Sequence, residues 1–109
     1  MKNQANSSLF DRLIEEARNP NPDTEKLAQL LLDLRETMKT DGDPLVVKVL
    51  RMAAEHLQKM GTFQLADRFE DGLPDDVTNL EYFVELVADS ENKFNREELQ
   101  EFKTILGND

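Results

Sequence analysis

The sequence predicts an all-α protein, a compact bundle of about six helices with a central antiparallel helical hairpin. Three observations carry that prediction. Residues Pro44 to Met60, PLVVKVLRMAAEHLQKM, form the longest apolar pattern with helical period, and Asp43 and Gly61 bound it sharply. Asp41-Gly42-Asp43 leaves room only for a tight corner between that stretch and the apolar-periodic segment before it. Two Thr/Asn-x-x-Glu signatures, Thr78 to Glu81 and Asn95 to Glu98, announce two further helix starts.

The chain has 109 residues, 39% of them apolar and 33% charged, which suits one folded domain and argues against disorder. Residues 1–7, MKNQANS, read as a disordered polar tail, and 8–109 as a single helical domain. Ser8 is placed to cap a first helix with an acidic first turn at Asp11 and an apolar face of Leu9, Phe10, Leu13, Ile14 and Ala17, ending near Arg18. Asn19-Pro20-Asn21-Pro22-Asp23 breaks it, since each proline lacks an N–H and biases the preceding residue away from helix.

A second helix is expected from Thr24 to Thr40, with Leu27, Leu30, Leu31, Leu34 and Met38 inward. Leu32 is its outlier, about 140° from Leu27 among polar neighbours. Gly42 suits a left-handed C-cap, and Asp43-Pro44 opens the central helix with a capping carboxylate and a residue that has no N–H to leave unpaired. Three branched residues, Leu45, Val46 and Val47, would also suit a strand, but the length of the pattern and Ala53-Ala54 decide for helix. A short fourth helix is expected from Phe63 to Glu70, on the shared face of Leu65, Ala66 and Phe69. Asp71-Gly72-Leu73-Pro74-Asp75-Asp76 is a loop. The fifth helix should run from Asn79 to Asp89, capped by Thr78 and stapled by Val77 and Tyr82. The sixth should run from Arg96 to Leu106, capped by Asn95, stapled by Phe94 and Leu99 and ended by Gly107.

Charge is the strongest functional signal. Residues 1–60 carry nine basic and ten acidic groups, net −1, whereas 61–109 carry four and thirteen, net −9. Such a field repels phosphate backbones and anionic membranes and favours basic partners or cations. Absence of Cys excludes disulfides and thiolate metal sites, and no apolar run is long enough to be a signal peptide or a membrane span. A cytoplasmic location is expected.

Four constellations could carry chemistry. Asp67, Glu70, Asp71, Asp75 and Asp76 form a docking surface for a basic partner, a loose divalent-cation site or a solubilising loop. Leu32, Tyr82 and Leu86 would mark a partner or homodimer contact if exposed together. Counting back from Glu98, the segment resembles a degenerate calcium loop with Asp89, Glu91 and Asn95 as further ligands, although Val87 fills its first ligand position. His56, the only histidine, stands at the edge of the central apolar arc and cannot form a multi-histidine zinc site alone. No phosphate loop, GxGxxG or HExxH occurs.

The expected function is therefore that of a small acidic protein-interaction module, an adaptor or inhibitor that binds a basic or mixed protein surface. A mimic of nucleic-acid charge is one special case. No enzymatic activity, cofactor or direct nucleic-acid contact is expected. A divalent-cation binder is the alternative, and a small enzyme using carboxylates the remoter one.

Overall fold

The computed structural model describes residues 4–108, with side chains considered for 8–40 and 42–108. Five α-helices make up the described chain: α1 (Gln4–Ala17), α2 (Thr24–Met38), α3 (Pro44–Met60), α4 (Asn79–Ala88) and α5 (Lys93–Gly107). Single 3-10 turns occupy Lys39–Asp41 and Ala66–Arg68, and no strand occurs among the described residues. The helices close a ring in the order α1, α2, α3, α5, α4 and back to α1, with the α2–α3 hairpin as the largest interface. The radius of gyration, 12.7 Å, is that of a compact chain of this length.

The central helix keeps its expected bounds. Asp43 is extended and accepts the Val46 N–H, Pro44 takes the first helical position, and Gly61 turns the chain off at φ 72°. Leu45, Val46, Val49, Leu50, Ala53, Ala54 and Leu57 are buried, facing Leu27, Leu30, Leu31, Leu34 and Met38 of α2 in one continuous core. His56 is buried too, rather than standing at the edge of the arc, and its ring meets Phe63 edge-on at 5.7 Å.

Several expected boundaries move. Of the predicted tail, residues 1–3 lie outside the described residues, and α1 starts at Gln4, so Ser8 lies inside the helix instead of capping it. The fourth helix does not form. A helix over 63–70 would set Phe63 and Leu65 about 200° apart and expose one of them, yet Phe63, Leu65 and Phe69 are all buried. The chain stays irregular instead, held where Asn79 Oδ1 accepts the N–H groups of Leu65 at 2.7 Å and Ala66 at 3.0 Å.

At α4, Thr78 Oγ1 accepts the Glu81 N–H at 3.1 Å as expected, but both Glu81 carboxylate oxygens are taken by Arg18, at 3.2 and 2.9 Å. At α5 the cap is Asn92, whose Oδ1 accepts from Phe94 at 2.9 Å and Asn95 at 3.2 Å. The helix thus begins three residues ahead of the expected start at Arg96. Asn95 uses its amide to donate to the Asp89 carbonyl, and Phe94 is 73% exposed, so it forms no staple with buried Leu99. The earlier start brings Arg96 to Asp43 at 2.7 Å, joining the N-termini of α3 and α5. That guanidinium holds the Asp43 carboxyl below the usual carboxylate range.

Candidate functional site

The three apolar residues expected to form a patch are not exposed together. Leu86 is buried, because α4 presents Leu80, Phe83, Val84, Leu86 and Val87 to neighbours on more than one side. Leu32 and Tyr82 are half-buried against the core. Among the described residues, the exposed large apolar side chains are instead Phe94 and, at 52%, Met60.

All five predicted acidic residues are exposed, and the fold divides them. Glu70 and Asp71 lie beside α5, close enough that they and Glu98 each act on the Glu101 carboxyl. Burial first, then Glu98, Asp71 and Glu70, push the Glu101 carboxyl above its ordinary value. Among the described residues, no lysine or arginine pairs with any of these four. Tyr82 closes the inner side of this cluster, its hydroxyl donating to Glu98 at 3.0 Å. Burial and that carboxylate push the Tyr82 phenol up to about 12.

Helical spacing puts Phe94, Glu98, Glu101 and Ile105 in one stripe along α5. The ridge therefore has an exposed aromatic ring at its N-terminal end and unneutralised carboxylates behind it. Phe94 was legible only if the cap was set at Asn92; it then falls about 140° around the helix from Leu99, off the core face.

Asp75 and Asp76 belong to a different place, a shallow groove shared with Arg18, Val77, Thr78 and Glu81. Here Arg18 compensates Glu81, whose side chain is only 4% exposed, while Glu85 beyond it has its carboxyl pushed up by burial and then by Glu81. Asp67 lies in the 3-10 turn Ala66–Arg68.

Two residues of the calcium-loop likeness, Asn95 and Glu98, engage other partners through their side chains. Asp89 ends α4, Asn95 donates to the Asp89 carbonyl, and Glu98 receives the Tyr82 hydroxyl, while Glu91 is exposed in the turn between the helices. No cluster of three or more His, Asp or Glu able to hold a metal ion occurs among the described residues. No described helix is long and apolar enough to cross a membrane.

Comparison with models of known protein families finds no match, and none is found among curated proteins or solved structures.

Proposed function

We propose that this protein is a small interaction module that binds a partner protein through the α5 ridge and the loop beside it. Phe94 is the anchor, and Glu70, Asp71, Glu98 and Glu101 form the charged surface. The observation that carries the proposal is the 73% exposure of Phe94 in line with carboxylates that no described lysine or arginine neutralises. An aromatic ring left in water contributes nothing to the fold, whereas aromatic side chains dominate the binding energy of interfaces. Unpaired carboxylates around it speed encounter with a basic surface and select its sign. The matching partner surface is an apolar recess bordered by Lys or Arg. Cytoplasmic residence belongs to the same proposal and is tested by cell fractionation.

Two variants test the surface without touching the core: Phe94→Ser, and the triple reversal Glu70→Lys, Asp71→Lys, Glu101→Lys. Both should melt within about 0.5 kcal/mol of wild type, as exposed substitutions do. In affinity capture from a cell lysate, the reversal should abolish retention of the partner at low salt, and Phe94→Ser should remove whatever survives at high salt. Capture of an unchanged protein set by both variants would refute the assignment of this surface.

A further inference from the structure

A cleft of about 410 Å³ opens between the end of α1, the start of α2, the end of α3 and the chain that follows it. Its origin is local. Pro20 and Pro22 prevent a helical link from α1 to α2, Gly61 turns the chain away from α3, and the segment through Phe63 and Leu65 cannot coil without exposing one of them. Three irregular segments meet there, and their side chains do not fill the space between them.

The floor is apolar, made by Ala17, Leu27, Leu57, Phe63 and Leu80. The rim carries Asn19, Asn21, Thr62 and Gln64, amides and hydroxyls that both donate and accept. A peptide group is the natural complement of such a rim. The volume lies within the range of about 300–1,000 Å³ typical of ligand sites.

The cleft does not end at its rim. Arg18 and Thr78 also line the shallower groove of about 440 Å³ whose far wall is Asp75 and Asp76. Both side chains at this seam are already fixed. Thr78 caps α4, and Arg18 gives its Nε and Nη2 to Glu81. Asp75 and Asp76 form no hydrogen bond or ion pair with a described residue. Asp76 also adds to the upward push on the Glu85 carboxyl, as expected where negative charge is in excess.

We infer that this two-part groove binds an extended peptide segment of a partner, with an apolar side chain in the cleft and a neighbouring Lys or Arg against Asp75 and Asp76. Anionic ligands do not fit: the cation at the seam is compensated by Glu81, and the far wall repels them. A purely apolar ligand would leave the amide rim unpaired. The groove is separate from the α5 ridge, and its test is read at different residues, so that either reading can fail alone.

The test is titration of the ¹⁵N-labelled full chain with blocked peptides Gly-Leu-Gly-Arg-Gly and Gly-Arg-Gly-Leu-Gly, followed by amide chemical shifts. Saturable shifts are expected at Arg18, at 62–64 and at 75–78 for at least one of the two. Replacing Leu by Ser should weaken that binding roughly tenfold or more, the scale of one buried aliphatic side chain. Asp75→Asn with Asp76→Asn should weaken it by roughly fivefold, the scale of exposed ion pairs, with the rest of the spectrum unchanged. Equal binding of the Leu and Ser peptides, or of a peptide with Glu in place of Arg, would overturn the inference. So would saturation with no shift at 62–64. Shifts confined to α5 would overturn it while leaving the ridge proposal standing.

Discussion

The α2–α3 hairpin and the chain from Gly61 onward are built on opposite plans. The hairpin core is aliphatic, its two helices adjoin in sequence, and the charge up to Met60 nearly balances. The later half carries net −9, and its core adds to its leucines and valines a cluster of aromatic rings that the hairpin lacks. Phe102 is the hub, with ring centroids of Phe69 at 4.8 Å, Phe83 at 5.1 Å, Phe63 at 6.3 Å and Tyr82 at 6.4 Å. Those rings come from the loop, from α4 and from α5, so no short segment could assemble them. Carboxylates that repel one another, such as Glu98 and Glu101, are thus held together by burial of large rings beneath them. An acidic surface this dense needs a core that is correspondingly cohesive.

The comparison is broken most directly at the hub. Phe102→Ala should lower stability by roughly 3–5 kcal/mol, the cost of emptying a fully buried aromatic site. Because α3 packs on α5, the whole helical signal should move to lower urea as one transition. A melt that splits, with the hairpin transition left in place, would show that the two plans fold separately.

A smaller effect sharpens the role of the loop. Asn79→Ala removes the acceptor of two backbone N–H groups and should cost roughly 2 kcal/mol, the desolvation penalty of donors left unpaired. Amide hydrogen exchange at Leu65 and Ala66 should rise while the amides of α3 keep their protection. Unchanged exchange at those two amides would mean that the aromatic rings alone hold the loop.

The same contrast explains what could be read in the sequence. The hairpin was legible because its determinants are local: the Asp43-Pro44 start, the Gly42 and Gly61 stops, and apolar residues at helical spacing. The fourth helix is expected, because Leu65, Ala66 and Phe69 do share a helical face, but does not form; nothing local says that Phe63 must also reach Phe102. Asn95 and Asn92 are both competent caps with the same chemistry. The choice falls on Asn92, where Arg96 also meets Asp43, a contact 53 residues away in sequence. Glu81 fits a capping box by spacing, and its carboxylate goes to Arg18 only because α1 packs on α4. The acidic residues were found by composition. Their division between the ridge and the groove was not, since it depends on where the loop crosses α5.

The smallest effect reads the ridge itself. Tyr82 is the single tyrosine in a chain without tryptophan, so tyrosinate absorbance reports on it alone. The folded phenol, pushed up to about 12, binds its proton more tightly than the unfolded one at its ordinary 10.0. Its contribution to stability is therefore complete below the unfolded value and is lost as pH rises through the folded one. Native protein should show a tyrosinate midpoint near that raised value, provided the helical signal persists there. In Glu98→Gln the midpoint should fall but stay above the ordinary value, because burial is the larger cause and the carboxylate the smaller. A native midpoint at the ordinary value would mean that solvent reaches the ring and that Glu98 is not held. The carboxylates of the ridge would then lack the fixed backing on which the contrast with the hairpin depends.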